Sequence, residues 1–441
     1  MTNLLSRRPL AGLLILIMAL VTIAVGYLPV SGFVKPLWIA GFCGWAAALL
    51  LFVDTPNILR VQVGIIIVLG IGMGLYAVSL GGNMDWDAII GGNTNLLTMI
   101  ASVGFLRLVV LPVSEQQTAA LPIGPKAYLQ TLLGLNISSS VINISAPILL
   151  ADRIHEQRPL QRFTSQSMTR VFCGVATWSP FFAAMAVVLT YLDEARLSWI
   201  VMAGIPFTVF GFVVVVIEAR LRYRDQLERF VGYPMHWQSL SVPFILVVCV
   251  ILVSYVFPDT ATLVVIASSA LLVTVVILLL RNDIKVTVQT LANYTVEGLP
   301  RIVNELTLFL AAGLIAAGML ALIQQDIVEN PFSQFDSNTA AVILGMILLL
   351  AAIGIHPVIS ISSFTPMILT LEPDHNLLAM TYLLGWNLGT CASPLSGTHL
   401  VFQGRYGIPS WKAALWNWPY AIVMYGFAVI WLRLLEVYFV S

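Results

Sequence analysis

The chain has 441 residues, of which 59% are apolar and 10% charged, and its 21 Lys and Arg residues balance its 21 Asp and Glu residues. A soluble protein of this length carries about a quarter of its residues as charges, so the composition excludes that class. The charge balance also leaves no basic face for nucleic acid. Apolar runs of about 20 residues recur along the chain, which predicts an all-α polytopic membrane protein with a single membrane domain.

The apolar segments follow one another with short polar gaps. In chain order they are 10–30, 34–53, 59–80, 94–113, 126–151, 168–192, 197–219, 241–258, 260–280, 303–323, 338–371, 378–403 and 412–436. The first segment follows Arg7 and Arg8 and lacks a small-x-small cleavage site. We interpret it as an uncleaved helix whose amino end lies in the cytoplasm.

Two segments, 126–151 and 338–371, carry polar residues at their centres. A helix that faces lipid does not tolerate such a centre, whereas a re-entrant hairpin buried in protein does. We therefore predict a re-entrant hairpin at each segment. The central polar residues are Asn136, Ser138, Ser139, Ser140, His356, Ser360, Ser362 and Ser363.

Charge placement favours the two hairpins. Arginines concentrate at 153–170 and 220–229, whereas the loops 81–93 and 324–337 carry acidic residues and no Lys or Arg. If both hairpins return to the side they enter from, every basic cluster lies in the cytoplasm and both acidic loops lie outside. The positive-inside rule then predicts about eleven transmembrane helices plus two hairpins in a bacterial inner membrane, with the amino terminus cytoplasmic and the carboxyl terminus periplasmic.

The two halves of the chain resemble each other in three places that occur in the same order. The matched pairs are Asn95–Thr98 with Asn304–Thr307, Gly134–Asn136 with Gly354–His356, and Met168–Thr169 with Met380–Thr381. Five crossings and one hairpin per half give the halves opposite orientations, which predicts an inverted-topology repeat. We assign 1–33 to an extra amino-terminal helix, 34–240 to the first repeat and 241–441 to the second repeat.

Interrupted helices free backbone N–H and C=O groups and expose helix ends, which can hold an ion near the membrane midplane. We predict hairpin tips at Asn136–Ser140 and His356–Ser360, and breaks in the following helices at Thr177–Pro180 and Gly389–His399. Proline and glycine at these places weaken the helix. The predicted substrate- and ion-binding residues are Asn136, Ser138, Ser139, Ser140, Thr177, Ser179, His356, Ser360, Thr390, Ser393, Ser396, Thr398 and His399.

The run Ser393–His399, followed by Phe402–Gly407, resembles the ion transporter superfamily when taken together with the paired hairpins and breaks. That group includes divalent-anion/sodium symporters and the citrate and arsenite carriers. The resemblance covers roughly 34–436 and implies alternating access and a homodimer. The Ser-Asn-Thr signatures of the dicarboxylate symporters are absent, and their nearest equivalents are Asn136 with Ser138–Ser140 and Ser393 with Thr398.

The leading hypothesis is transport of a small organic anion driven by protons or sodium, with Glu305 as the candidate coupling residue and no cofactor. The alternatives are a cation/proton antiporter and the membrane subunit of a binding-protein-dependent transporter. An enzyme is the least favoured class, because the sequence has no HExxH, no GxSxG and no paired intramembrane aspartates. Glu305 could also be an interfacial carboxylate. We interpret Arg107 and Arg170 as side chains that extend to the cytoplasmic interface.

Overall fold

The computed structural model describes residues 2–28, 36–110, 121–233 and 241–439. Within these ranges the chain is helical, and the β-pairing is limited to one isolated bridge between Ile123 and Val231. The prediction of an all-α fold is therefore confirmed. Eight stretches in the described part of the chain are long and apolar enough to cross a membrane, as expected of a polytopic membrane protein.

Eleven α-helices lie in the described residues before 234. They are α1 Thr2–Tyr27, α2 Pro36–Leu51, α3 Asn57–Ser79, α4 Trp86–Gly91, α5 Thr94–Gly104, α6 Pro125–Ile142, α7 Ser145–Gln157, α8 Arg162–Gly174, α9 Ala183–Tyr191, α10 Leu197–Arg222 and α11 Arg224–Glu228. Nine follow in the described part of the second half. They are α12 Ser241–Val256, α13 Thr262–Arg281, α14 Ile284–Glu297, α15 Val303–Ile323, α16 Ser337–Ala352, α17 Pro357–Leu369, α18 His375–Ala392, α19 Gly397–Tyr406 and α20 Ser410–Phe439.

Aspartate side chains cap several helices where they begin. Asp85 accepts from the Ala88 amide, Asp283 from Val286, and Asp374 from Leu377. Asp336 caps α16 by accepting from the Thr339 amide at 2.8 Å, and this hydrogen bond lowers the pKa of the Asp336 carboxyl group. Capping satisfies amides that have no partner inside the helix. These four aspartates therefore mark where their helices begin.

Both segments with polar centres form helix–turn–helix pairs. The first turn lies at Asn143 and Ile144, between α6 and α7, and Asn143 has φ of 52°. The predicted tip at Asn136–Ser140 is wrong by about one helical turn, because these residues continue α6. The physical reason is local: the Ser140 hydroxyl donates to the Ile137 carbonyl at 2.7 Å, so the helix itself satisfies the polar side chain.

The second turn lies between α16 and α17 and contains Gly354 with φ of 95°. His356 caps α17, because its Nδ1 accepts from the Val358 amide at 3.3 Å. Pro357 occupies the first position of the helix, where the missing N–H costs nothing. The predicted tip at His356–Ser360 therefore begins correctly, but Ser360 already lies inside α17.

The two ends of each helix–turn–helix pair lie close together. Before α6, Ile123 pairs with Val231, and near the end of α7 the carbonyl of Arg153 accepts from the Tyr233 hydroxyl at 3.3 Å. For α16 and α17, Asn330 in the preceding loop donates to the Met367 carbonyl at the far end of the pair, at 2.8 Å.

The helices that follow these pairs are both interrupted. The first interruption runs from a 3₁₀ turn at Val175–Thr177 to Phe182 and separates α8 from α9. The second is confined to Ser393–Ser396, between α18 and α19. The prediction that it starts at Gly389 is wrong, because Thr390 donates to the Trp386 carbonyl at 2.6 Å as a helical residue does.

The two halves of the chain contact each other closely. In α15, a Cβ at Gly318 would lie 2.5 Å from the Gly70 carbonyl oxygen of α3, so only glycine permits this approach. Elsewhere α18 packs against α8, α10 and α20. The residues of α8 are buried from Phe163 to Gly174, and those of α18 from Leu377 to Gly389. The two interrupted helices therefore lie at the centre of the protein.

Candidate functional site

The first interruption leaves backbone carbonyls that side chains then bind. At the end of α8 the Val175 amide donates to the carbonyls of Phe172 and Cys173. The Val171 carbonyl accepts instead from the side-chain amide of Asn136 in α6, at 2.8 Å. Asn136 therefore connects the first hairpin to the broken helix.

Ser179 forms a second connection between the first hairpin and the first interruption. Its hydroxyl donates to the Ser140 carbonyl at 2.7 Å and accepts from the Phe181 amide at 3.2 Å. Thr177, in contrast, faces α10, because its hydroxyl lies 2.7 Å from that of Thr208. The structure therefore brings Asn136, Ser140 and Ser179 together and directs Thr177 away from them.

The second interruption repeats this local geometry. The Ser393 hydroxyl accepts from the Leu395 amide at 3.2 Å, and a proline follows Ser393 as one follows Ser179. The Ser393 carbonyl accepts from His399 Nδ1 at 2.8 Å, so the imidazole binds a carbonyl freed by the break. Ser396 caps α19 by accepting from the His399 amide at 3.4 Å.

Contacts between elements gather both hairpins and both interruptions into one region. A Cβ on Gly397 at the start of α19 would lie 3.3 Å from Ile144 Cδ1 at the tip of the first hairpin. A Cβ on Gly354 would lie 2.7 Å from Leu395 Cδ1. Thr390 of α18 lies 3.5 Å from the sulfur of Cys173 in α8. The amino ends of α7, α17 and α19 therefore all lie around the second interruption.

Several buried polar atoms in this region have no hydrogen-bond partner among the described residues. They are Ser139 Oγ, Thr169 Oγ1, Ser360 Oγ and Asn387 Oδ1. Asn387 also lines a cavity of about 10 Å³ with Arg170, Thr208 and Tyr420, about the volume that one water molecule needs. Buried polar atoms without partners are unusual, so these groups are available to a ligand or to water.

The remaining predicted residues take different positions. Ser138 is partly buried in α6, and Thr398 is buried in the first turn of α19. The His356 ring packs edge-on against Trp386 of α18, with 5.1 Å between ring centroids. Glu305 is partly buried in the first turn of α15, and the charged group that faces it is Arg107. None of the hydrogen bonds at the hairpins or interruptions described above involves Glu305.

Arg170 belongs to this region, and the interpretation that it extends to the interface is wrong. Its side chain is 3% exposed and forms an ion pair with Glu218 of α10. Its Nε donates to Asn417 Oδ1 at 2.9 Å, and Asn417 Nδ2 lies 3.3 Å from His399 Nε2. Sequence reasoning missed Glu218 and Asn417.

A signal for this cluster was present in the sequence. Gln166 and Arg170 occur four residues apart, which places them on one face of α8. Both side chains donate to the Trp416 carbonyl in α20, at 2.6 and 3.2 Å. A proline within α20, Pro419, weakens the helical ladder near this carbonyl. A polar stripe opposite a proline-containing helix is therefore the pattern that could have predicted the contact.

The fold and this region define a polytopic α-helical membrane protein with paired helical hairpins and paired interrupted helices. Among solved structures, the chain is similar to the YdaH transporter of Alcanivorax borkumensis, whose reported topology is unusual. The TM-score is 0.51 at 12% sequence identity, and the match covers 85% of this chain and 98% of that chain. No protein-family model and no curated protein matches the sequence. At this identity the likeness concerns the fold.

Proposed function

We propose that this protein is a secondary active transporter that moves a small organic anion across the bacterial inner membrane by alternating access, coupled to protons or sodium. The observation that carries the proposal is the meeting of three helix amino ends, those of α7, α17 and α19, around the interruption at Ser393–Ser396. Helix amino ends carry partial positive charge and unpaired N–H groups, which bind anions without a charged side chain.

The connections between the halves support alternating access. The second hairpin and α19 belong to the second half, whereas Ile144 and Cys173, which contact α19 and α18, belong to the first half. A ligand between them would be released on either side if one half moved against the other. The closeness of the two ends of each helix–turn–helix pair fits re-entrant hairpins and about eleven crossings. Similarity to the fold of a transporter adds support.

The polar side chains in this region supply ligand groups of the right kind. Ser139, Ser360 and Asn387 are buried and have atoms without partners in the described part of the chain. Neutral hydroxyls and amides can bind a carboxylate or a sodium ion. A cation/proton antiporter would need carboxylates at the interruptions, whereas Glu305 lies beside Arg107 in the first turn of α15. The geometry therefore favours an anion.

A thermal-shift screen of the purified protein against citrate, succinate, glutamate, phosphate and sodium chloride tests the proposal. A ligand that binds the folded state alone raises the melting temperature. We expect at least one of the anions to do so and the shift to be lost in Ser393→Ala. If sodium alone raises the melting temperature and every anion fails, the anion proposal is contradicted and the antiporter alternative is favoured.

A further inference from the structure

We propose that His399 is the proton-binding group of this protein and that its protonation state is relayed through Asn417 to the ion pair between Arg170 and Glu218. The inference rests on the proposed function and deepens it, because it names the proton as the coupling ion. The chain of side chains starts at the interruption of the second half and ends on α8 and α10 of the first half.

The hydrogen bonds that link these side chains have a fixed direction. The Ser393 carbonyl can only accept, so His399 Nδ1 carries the proton and Nε2 is left as an acceptor. Asn417 Nδ2 donates to that acceptor at 3.3 Å and to the Ala413 carbonyl at 3.1 Å. Asn417 Oδ1 accepts from Arg170 Nε at 2.9 Å. Every donor meets an acceptor only while His399 is neutral.

The hydrogen-bonded series that starts at His399 ends at a buried ion pair. Arg170 is 3% exposed and pairs with Glu218, which is 16% exposed and also binds Arg222 at 3.2 Å. The guanidinium also lies 4.8 Å from the centre of the Tyr420 ring. Charges within a membrane domain are costly and usually functional. Arg170 binds Glu218 of α10 and also Asn417 and the Trp416 carbonyl of α20, so a change in the position of its side chain also changes the contact between the halves.

A second proton on His399 cannot be accommodated in this arrangement. Nε2–H would face the Asn417 amide, and two donors would meet. Turning the amide does not help, because its NH₂ would then face Arg170 Nε–H and its oxygen would face the Ala413 carbonyl. The imidazolium would also add a positive charge next to Arg170. Protonation must therefore either separate α19 from α20 or, with the amide turned, break the contact between Asn417 and Arg170. Because Arg170 lies on α8 of the first half, the second outcome couples proton binding to movement between the halves.

No other charged group competes for this role in the described surroundings of α19. Asp152 of α7 binds Arg405 and Tyr406 at the opposite end of α19, at 2.8 and 2.6 Å. The ion pair is therefore the charge to which Asn417 links the imidazole. Titratable and charged groups on the helices around it include Asp152, His155, Arg162, Arg170, Cys173, Glu218, Cys391, Arg405, Tyr406, Lys412 and Tyr420.

Counterflow exchange in vesicles reconstituted with the full chain tests the inference. Labelled succinate, citrate and glutamate are each exchanged at equal pH on both sides, from about pH 4 to 8, a range that contains the ordinary histidine transition and extends below it. We expect a sigmoidal pH profile for the wild type, and for His399→Gln a lower rate that does not vary with pH. His375→Gln is the matched control, because His375 lies at the start of α18 beside Glu194, and its profile should follow the wild type.

Asn417→Asp is the second variant, and we expect it to move the midpoint of the pH profile in a defined direction. A carboxylate at this position can accept from Arg170 and from a protonated imidazole together, so the midpoint of the profile should move up by about one pH unit or more. The inference is overturned if that midpoint stays in place, if His399→Gln keeps a wild-type profile, or if Glu305→Gln flattens the profile instead. Wild-type vesicles that exchange none of the three anions would contradict the proposed function itself.

Discussion

At the scale of single residues, polar side chains in the candidate site bind backbone carbonyls at the first hairpin and at the interruptions. Asn136 binds the Val171 carbonyl, Ser179 binds the Ser140 carbonyl, and His399 binds the Ser393 carbonyl. Each pair joins two segments that are not continuous in one helix. These residues therefore position the interruptions as well as offering groups to a ligand.

Removing one of these side chains should weaken ligand binding. Asn136→Ala and Ser393→Ala each leave a backbone group or the ligand without its partner, at a cost of about 1–3 kcal/mol, which is roughly a ten- to hundredfold loss of affinity. Titration of the anion identified by thermal shift measures this. Ser102→Ala is the matched control, because this buried serine lies inside α5, outside both hairpins and both interruptions. Wild-type affinity in both site variants would show that the site lies elsewhere.

The buried ion pair makes a separate prediction about stability. Arg170→Met leaves Glu218 without its buried partner, which typically costs about 3–5 kcal/mol, and we expect the low end because Arg222 still binds Glu218. Arg224→Met breaks an exposed pair with Glu228 and should cost less than about 1 kcal/mol. Melting temperatures in detergent compare the two variants. Equal losses of stability in the two variants would mean that the buried ion pair of Arg170 is no more stabilising than an exposed one.

At the scale of helices, the conformation of the turns decides where the hairpins end. Serines within α6 keep the helix intact, whereas Asn143 and Gly354 adopt positive φ angles of 52° and 95° that reverse the chain. Asparagine and glycine tolerate this conformation better than other residues. The turn residues, and not the most polar residues, therefore place the hairpin tips.

Gly354→Ala should destabilise the second hairpin. The positive φ disfavours any side chain by about 1–2 kcal/mol, and the new Cβ would lie 2.7 Å from Leu395. Gly404→Ala is the matched control, because Gly404 is helical and a Cβ there meets nothing within 4 Å. Alanine should stabilise that position by up to about 1 kcal/mol. Opposite shifts in melting temperature are expected, and a stable Gly354→Ala protein would contradict the strained turn.

At the scale of the whole molecule, contacts gather the ends of the two helical hairpins into two clusters. One cluster holds Ile123, Val231 and Arg153, and the other holds Asn330 and Met367. The first cluster adjoins the arginine-rich stretches 153–170 and 220–229, and the second includes the acidic loop 324–337. From the positive-inside rule we predict that the first cluster lies in the cytoplasm.

Labelling of single cysteines in intact cells tests this orientation in a background without the four native cysteines. Gln334→Cys should react with a membrane-impermeant maleimide added from outside, whereas Gln157→Cys should react only after the cells are opened. Both glutamines are exposed in the folded chain, so accessibility within the protein does not distinguish them. Strong labelling of Gln157→Cys in intact cells would contradict two re-entrant hairpins.

The sequence predicted the segments that form the candidate site, but not the side-chain contacts between them. Segments 126–151 and 338–371 stood out because polar residues interrupt apolar runs, and the run at Ser393–His399 showed the second break. The polar stripe on α8 could have indicated the contact of Arg170 with α20, but the sequence did not identify its side-chain partners, because an arginine near a helix end pairs with interfacial water as readily as with a distant carboxylate. Its partners Glu218 and Asn417 are 48 and 247 residues away.

The sequence alone determined that this is an all-α polytopic membrane protein, because apolar length and charge content depend on composition and local order. It also determined that two segments contain helical reversals. The tertiary structure decided where the helices turn and which carbonyls the side chains bind. It also decided that His399, Asn417, Arg170 and Glu218 form one hydrogen-bonded series of side chains. Those outcomes depend on which helices pack together, and packing joins residues whose separation in sequence carries no local signal.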